Sequence, residues 1–338
     1  MRVVVQRPGL FYPAEGRDPE AIMLGPLRAA AGSLGVELVE VSTPEQALAV
    51  VAGADAFVGG ADLVKVIQHA GPSLRWVHVQ SAGVESYPHE VIEKAGVTLT
   101  NSAVIYGPQL ADHVMALILA FSRQLPFLFQ AQQEQRWASR SEYPPGELAG
   151  QTLLVIGLGG AGGETATRAG CGFGMRVIGT KRTPPTSPPP GVERVLGSSR
   201  AELHSVLPEA DWIAVCCGLN SATVGLFGAQ EFSLMKRTAV IVTVARGRVI
   251  QTEALVQALN SGTIGGAGLD VTDPEPLPPG HALWNTPNTI ITPHASGHSP
   301  VADERWGELV ADNLRLFSAG KPLRNVVDLQ ADRLEAKL

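Results

Sequence analysis

The chain has 338 residues, of which 45% are hydrophobic and 17% are charged. This length predicts about two domains, and the composition is that of an ordinary globular protein with ample core. A formal net charge of −6 argues against a nucleic-acid or anionic-membrane partner, because neither surface attracts an acidic protein. No run approaches the ~18 apolar residues of a membrane span, and the N-terminal apolar stretch is too short for a signal peptide, so we expect a cytoplasmic location.

The first hundred residues alternate short apolar runs with longer amphipathic stretches, which is the pattern of a parallel sheet flanked by helices. The apolar runs have the length of strands, and the stretches between them have the length of helices. Strands are predicted at Val3–Val5, Glu37–Val41, Ala56–Val58 and Trp76–Val79, and helices at Pro26–Leu34 and Pro44–Val51.

A long apolar helix is predicted next, from Tyr106 to Phe121. Its second half, Val114–Phe121, is apolar on all sides, and a helix of that kind must be buried all round. We therefore expect it at a domain junction or a subunit interface. Because monomers rarely tolerate so large an exposed apolar surface, we expect a homodimer joined largely through this helix.

A glycine-rich turn follows the apolar strand predicted at Thr152–Ile156. In this G-x-G-x-x-G motif the first glycine permits a tight turn, the second lets a pyrophosphate approach, and the third lets the next helix pack closely. The N-terminus of that helix would hold the phosphates. A dinucleotide cofactor is therefore predicted to contact Gly157, Gly159, Gly160, Ala161 and Gly162.

The second strand of this domain is predicted at Arg176–Gly179, and basic residues follow it where the adenosine ribose should be read. A cofactor with a bare ribose usually finds a carboxylate there, whereas Lys181 and Arg182 would attract a 2′-phosphate. The sequence therefore favours NADP, with NAD possible, and predicts cofactor contacts at Lys181, Arg182 and Thr183. The alternative is a solvated loop whose charges contact nothing. A stiff exposed loop is predicted at Pro184–Pro190.

Further strands predict that the alternation continues as a second doubly wound domain. The three cysteines lack the spacing of metal ligands, and the neighbouring pair falls inside one of these strands, which indicates core residues. The strands are predicted at Trp212–Cys217, Ala239–Val244, Gly266–Asp270 and Thr289–Thr292, and the cysteines are Cys171, Cys216 and Cys217.

Three polar residues that follow these later strands suit the reduction of a carbonyl group beside a carboxylate: Arg246, Glu275 and His294. Negative charge that builds on the carbonyl oxygen needs a proton donor and a fixed cation. Histidine, with an ordinary pKa of about 6.5, suits the first task, and a hydrogen-bonded carboxylate would hold its ring as the imidazolium. The planar fork of arginine matches a carboxylate. Alternatively, each residue alone could be a helix cap, a loop carboxylate or a satisfied polar group.

The order and spacing of four motifs resemble the D-isomer-specific 2-hydroxyacid dehydrogenase family over nearly the whole chain. The motifs are the glycine turn and the segments Val242–Gly247, Gly268–Pro276 and Thr292–Gly297. The resemblance implies that Arg246 binds the substrate, that His294 is the acid/base and that Glu275 is its partner.

The same resemblance implies further contacts and a domain plan. The family loop that holds the substrate carboxylate corresponds to the backbone of Ala82 and Gly83, and Tyr106 corresponds to a position near the substrate. Asp270 would lie near the nicotinamide. The expected fold is α/β with two doubly wound parallel-sheet domains, a Rossmann cofactor domain (105–298) inserted in a flavodoxin-like substrate domain (1–104 and 299–338). The remaining cofactor contacts implied are Cys217, Gly218, Val244, Ala245, His294 and Gly297.

Some residues depart from the family pattern. The stretch Gly163–Gly174 is unusually rich in glycine and one residue longer than expected, while Gly218, Asn220 and Thr243 replace the more usual proline, threonine and asparagine. A metal site at His294 and a second histidine four residues later is not predicted, because the glycine and proline around them disfavour a helix.

The expected activity is reduction of a small 2-oxo acid with NADPH, of the glyoxylate or hydroxypyruvate reductase type. Glu275 disfavours the formate dehydrogenase branch, for which the resemblance implies glutamine. Two alternatives stay open: an NAD-dependent enzyme like phosphoglycerate dehydrogenase, and a dehydrogenase-like corepressor that binds the cofactor without turnover.

Overall fold

The computed structural model describes residues 1–7 and 18–334. Strands and helices alternate along the chain, as the sequence predicts. In chain order they are β1 Arg2–Gln6, α1 Pro19–Leu34, β2 Glu37–Val41, α2 Pro44–Val50, β3 Ala56–Val58, α3 Leu63–Ala70, β4 Trp76–His78, α4 His89–Lys94, β5 Thr98–Thr100, α5 Gly107–Ser122, α6 Leu125–Gln133, β6 Thr152–Ile156, α7 Gly160–Thr167, β7 Arg176–Thr180, β8 Arg194–Leu196, α8 Arg200–Val206, β9 Trp212–Val215, α9 Ala229–Leu234, β10 Val240–Thr243, α10 Thr252–Asn260, β11 Gly266–Leu269, β12 Thr289–Ile291 and α11 Ala302–Ser318.

The chain divides into two compact units: unit 1 comprises Met1–Tyr106 and His298–Leu338, and unit 2 comprises Gly107–Gly297. Unit 1 holds a parallel sheet with strand order β2-β1-β3-β4-β5, the order of flavodoxin-like folds. Strand β1 lies inside this sheet and is buried on both faces, because side chains alternate across a strand. Val3 and Val5 pack in the same cluster as Trp306 of α11, whereas Val4 packs with the opposite layer.

Unit 2 holds a seven-stranded parallel sheet with the order β12-β11-β10-β9-β6-β7-β8. The chain starts in the middle at β6, runs outward to β7 and β8, and then returns to the other side at β9. This is the Rossmann order extended by one strand, with a topological switch point between β6 and β9. The α/β fold with two parallel sheets, predicted from the sequence, is confirmed.

Helix α5 differs from its prediction. It begins at Gly107, after a 3₁₀ turn over Ala103–Tyr106. Val114 and Ile118 are fully buried in the cluster that includes the β6 side chains Leu153 and Val155, so unit 2 itself covers the apolar face. Ala116 is exposed and Leu119 and Phe121 are half-buried, so unit 2 covers one side of the helix, and burial of the other side at a subunit interface stays a prediction.

The stretch Ala103–Ser122 is long and apolar enough to cross a membrane, within the described part of the chain. Its composition has a simpler cause, because its most apolar positions, among them Val114 and Ile118, lie inside the core of unit 2.

Two further predictions are corrected. Helix α1 begins at Pro19 rather than Pro26, because Asp18 caps it by accepting a hydrogen bond from the Glu20 amide, and Pro26 lies within the helix. Strand β9 ends at Val215, so Cys216 and Cys217 follow the strand instead of lying inside it.

The glycine-rich stretch after the dinucleotide motif contains a local change of helix type. Helix α7 ends at Thr167 and continues as one π-helical turn over Arg168–Gly172. A π turn accommodates one additional residue in a helix. The π turn therefore accommodates the extra residue of the stretch Gly163–Gly174.

Candidate active site

The glycine turn joins β6 to α7 and is shaped for a phosphate group. Gly157 has φ 93°, a conformation that favours glycine. A Cβ atom on Gly162 would lie 2.0 Å from the carbonyl oxygen of Gly157, so only glycine lets the helix start this close to the strand. Gly159 caps the helix without a side-chain hydrogen bond. The first amides of α7 are thus available to an anion, which fits the pyrophosphate of a dinucleotide.

The residues predicted to read the ribose lie at the end of the neighbouring strand. Thr180, the last residue of β7, accepts a hydrogen bond from the Gly157 amide through Oγ1 at 3.1 Å. Lys181, Arg182 and Thr183 follow it directly, and all three are exposed. The proline-rich segment after them is also largely exposed, as predicted. The turn and the basic residues are therefore joined at one edge of the sheet.

The loop after β9 borders the same turn. A Cβ atom on Gly157 would lie 2.9 Å from the Cβ atom of Cys217, so these two segments are in close contact. Gly218 has open space around it. Burial raises the pKa of both the Cys216 and the Cys217 thiol to about 12, which leaves them as protonated packing groups.

Three adjacent strands position the residues predicted for catalysis. Arg246 follows β10, Glu275 follows β11 and His294 follows β12, and these strands are neighbours in the sheet. Because parallel strands end at the same edge, all three residues lie on the side that carries the glycine turn. Arg246 is half-buried, and its Nη1 donates a hydrogen bond to the carbonyl of Ala245 at 2.8 Å.

The side chains of His294 and Glu275 form a hydrogen-bonded pair. Nδ1 of His294 lies 2.5 Å from Oε1 of Glu275, and the two side chains are 47% and 38% exposed. An ionised carboxylate only accepts hydrogen bonds, so Nδ1 carries the proton of this contact. The other ring nitrogen, Nε2, is then the atom that can exchange a proton with a substrate.

Asp270 organises the segment that carries His294. Its carboxylate is buried and accepts hydrogen bonds from the Thr292 hydroxyl (2.6 Å), the Ala295 amide (2.9 Å), and both the amide (3.0 Å) and the hydroxyl of Ser296. Burial opposes ionisation, but these hydrogen bonds prevail and hold the pKa of Asp270 below its usual value. The sequence suggested only a place near the nicotinamide for this residue. The hydrogen bonds of its side chain are with the His294 segment, and His113 of α5 lies 3.5 Å from Oδ1.

Unit 1 contains the loop predicted to hold the substrate carboxylate. Asn101 donates to the carbonyl of Ala82 at 2.7 Å, and the Ser81 hydroxyl donates to the carbonyl of Gly83 at 2.8 Å. The amides of Ala82 and Gly83 donate no hydrogen bond within the described residues. These two donors are therefore available to an anionic ligand.

Tyr106 is hydrogen-bonded to the residue that precedes this loop. Its hydroxyl donates to the carbonyl of Gln80 at 3.2 Å. Burial, followed by the nearby charge of Asp303, raises the pKa of Tyr106 to about 12, so the phenol stays protonated. The sequence placed Tyr106 near the substrate, and the structure places its hydroxyl on the backbone of the substrate loop.

Two features of the site bear on the sequence predictions. No group of three or more potential metal-ligating side chains occurs in the ranges that the structure describes. Sequence reasoning missed His113, whose Nε2 lies 2.9 Å from the Thr292 hydroxyl. No motif marks His113, since 179 residues separate the two positions.

Comparison with known proteins shows the family of this chain. A sequence profile described as D-isomer specific 2-hydroxyacid dehydrogenase, NAD binding domain, matches residues 115–296, which is more than half of the chain. The chain belongs to this family. The residues that match this NAD-binding domain fall within unit 2.

Named relatives of this dehydrogenase include two glyoxylate reductases. That of Korarchaeum cryptofilum is 32% identical over 267 residues, which cover 77% of each chain. That of Aeropyrum pernix is 33% identical over 266 residues, which cover 76% of this chain and 77% of the relative.

Among solved structures, the NADPH-dependent glyoxylate/hydroxypyruvate reductase of Sinorhizobium meliloti, in complex with NADP and sulfate, has a TM-score of 0.76 at 25% identity and covers 98% of this chain and 99% of its own. A D-isomer specific 2-hydroxyacid dehydrogenase of Xanthobacter autotrophicus, in complex with NADPH and MES, has a TM-score of 0.76 at 26% identity and covers 97% and 98%.

Proposed function

We propose that this dehydrogenase reduces a small 2-oxo acid to the D-2-hydroxy acid with NADPH, as a glyoxylate or hydroxypyruvate reductase. The observation that carries the proposal is the His294–Glu275 hydrogen bond at the ends of two strands, next to the strand that carries Arg246. An oriented imidazole and a fixed cation are what carbonyl reduction beside a carboxylate requires. The glyoxylate reductases among the relatives support the substrate class.

The chemistry assigns one role to each residue. A bound nicotinamide cofactor supplies the hydride that forms the new C–H bond at the carbonyl carbon. The carbonyl π electrons move to oxygen, and Nε2 of His294 gives that oxygen its proton, so the neutral ring remains. Glu275 fixes the ring through Nδ1 and stabilises the imidazolium before the transfer. Arg246 compensates the negative charge of the substrate carboxylate and of the carbonyl oxygen as it develops.

In unit 1, the amides of Ala82 and Gly83 are the proposed ligands of the substrate carboxylate. They are partly buried, point to no acceptor within the described residues, and belong to a loop held by Asn101 and Tyr106. Backbone donors in such a loop bind an anion of any small 2-oxo acid. Such backbone donors account for binding of 2-oxo acids as a class, because they contact the carboxylate that all of these acids share.

Lys181 and Arg182 are the basis of the NADPH preference in this proposal. Both side chains are exposed just after β7, where the 2′-substituent of the adenosine ribose is read. One charge-assisted hydrogen bond to a phosphate contributes about 1.5–3 kcal/mol, which corresponds to a preference of at least about tenfold. Two structural neighbours contain NADPH or NADP.

A cofactor and substrate panel tests the proposal. We expect glyoxylate and hydroxypyruvate to be reduced, with kcat/KM at least about tenfold higher with NADPH than with NADH. Turnover of 3-phosphohydroxypyruvate with NADH and not of the smaller acids would establish the phosphoglycerate dehydrogenase alternative. Tight cofactor binding with no turnover of any 2-oxo acid would favour the corepressor.

We further infer that the active form is a homodimer in the cytoplasm. Besides the side of α5 that unit 2 leaves uncovered, the region after this helix supports a dimer. There, Phe129 is 59% exposed. Trp137, which is 99% exposed, lines a groove of about 630 Å³ together with Leu128 and Tyr143. A second copy is the occupant that would bury both aromatic side chains. The three unpaired cysteines suit a reducing compartment.

A further inference from the structure

Helix α5 contacts the segment of His294 through a short chain of hydrogen bonds inside unit 2. Nε2 of His113 lies 2.9 Å from Oγ1 of Thr292, and this hydroxyl lies 2.6 Å from Oδ1 of Asp270. His113 itself is 3.5 Å from the same carboxylate oxygen. His113 takes no part in the proposed reaction, and its helix α5 precedes the strands β10, β11 and β12 in the chain.

The direction of these hydrogen bonds follows from counting protons. A hydroxyl has one proton, and Thr292 gives it to Asp270, since an ionised carboxylate can only accept. Oγ1 of Thr292 can then only accept from His113. His113 must therefore carry a proton on Nε2, whichever state its other nitrogen has.

Asp270, at the other end of this series of hydrogen bonds, holds the backbone around His294. The carbonyl oxygen of Asp270 accepts from the His294 amide at 2.8 Å, and its carboxylate accepts from the amides of Ala295 and Ser296. His294 has φ 52°, in the left-handed region that a residue with a side chain rarely occupies. Such a conformation persists only where its surroundings hold it.

We propose that His113 is a positioning residue for the acid/base. By donating from Nε2 to Thr292, it orients the Thr292 hydroxyl toward Asp270 and so fixes the carboxylate that binds the two amides after His294. The ring of His294 is thereby held where Nδ1 meets Glu275. The kinetic part of this inference rests on the proposed function, whereas the structural part does not.

His113→Ala removes the donor, and His113→Gln retains one, because the Gln amide nitrogen can reach the place of Nε2. The matched control is Asp112→Asn on the same helix, where the exposed carboxylate pairs with Arg168 instead. We expect hydrogen exchange at the amides of Ala295 and Ser296 to be roughly tenfold faster in His113→Ala, near wild type in His113→Gln, and unchanged in Asp112→Asn, the effect of losing one hydrogen bond in a network.

In turnover, His113→Ala should lower kcat roughly tenfold with KM for NADPH within about twofold, and should raise the isotope effect measured with deuterated NADPH. His113→Gln should recover most of kcat. If His113→Ala does not fold, the same comparison is made at Thr292. Thr292→Val removes the hydroxyl, and Thr292→Ser keeps it.

The outcomes separate the two proposals. The positioning role would be overturned if hydrogen exchange at both amides were unchanged in His113→Ala and Thr292→Val. It would also be overturned if His113→Gln and Thr292→Ser increased the exchange rate as much as those variants do. A wild-type protein without 2-oxo acid turnover would overturn the proposed function, and the exchange measurement would still decide the role of His113.

Discussion

The stability of unit 1 should depend on pH through one buried histidine. His78, at the end of β4, is fully buried. Its Nδ1 lies 2.8 Å from the Thr100 hydroxyl, and its Nε2 lies 3.0 Å from the Ser102 hydroxyl. Burial lowers the pKa of His78 to about 3, because the buried ring loses the water that would solvate an imidazolium. The folded protein therefore holds this ring neutral at all ordinary pH values.

The magnitude follows from the two pKa values. In the unfolded chain a histidine binds a proton below about pH 6.5, whereas folded His78 does so only near pH 3. Unfolding then takes up a proton, so the free energy of unfolding is highest above about pH 6.5. It falls by about 1.4 kcal/mol per pH unit below that, until the pH nears the folded pKa. At pH 5 the loss due to His78 is about 2 kcal/mol.

The assay is urea-dependent hydrogen exchange, resolved by peptide so that unit 1 is followed separately, at pH 7.5 and pH 5. His78→Gln removes the titration and keeps an amide in reach of both hydroxyls, so its loss of stability between the two pH values should be about 2 kcal/mol smaller than that of the wild type. His69→Gln, an exposed histidine on α3, is the matched control and should keep the wild-type loss. An equal pH-dependent loss in His78→Gln and wild type would refute the reasoning.

The remaining predictions concern the site and the assembly. His294→Gln should lower kcat roughly 10²-fold or more with cofactor binding within a few fold, and near-wild-type turnover would end its assignment as the acid/base. Glu275→Gln should move the fall of kcat with rising pH to lower pH, because the imidazolium loses its charged partner; an unmoved profile would contradict the pairing. Lys181→Asp should erase or reverse the preference for NADPH in kcat/KM, and Lys321→Asp, at an exposed lysine of unit 1, is the comparison for the change of charge alone. Light scattering at micromolar concentration should give twice the chain mass of 35.5 kDa, and Trp137→Asp should give a monomer; a monomeric wild type would contradict the dimer.

Much of the fold could be read from local patterns. The apolar run before the glycine turn predicts a buried strand, and the turn predicts the close approach of strand and helix that Gly162 shows. The two parallel sheets and the family, both predicted from such segments, are confirmed. Sequence motifs also predict Arg246, Glu275 and His294 after the later strands, because the residues of each motif are contiguous in the chain.

Other features left no local signal. The apolar stretch Val114–Phe121 has the same sequence pattern whether its own domain or a second subunit covers it, and only the position of α5 against the sheet shows which side unit 2 buries. The end of β9 before Cys216 likewise depends on where its pairing with neighbouring strands stops.

The sequence by itself determined which residue types stand at strand ends, since periodicity and glycine spacing act over a few neighbouring positions. The tertiary structure alone decided which strand ends are neighbours and which side chains meet there. The partners His113 and Thr292 are 179 residues apart, and the hydrogen-bond partners of the Asp270 side chain come after the next strand of the sheet, β12. Such contacts form only after long-range strand pairing and packing have brought distant segments together, so no short stretch of sequence encodes them.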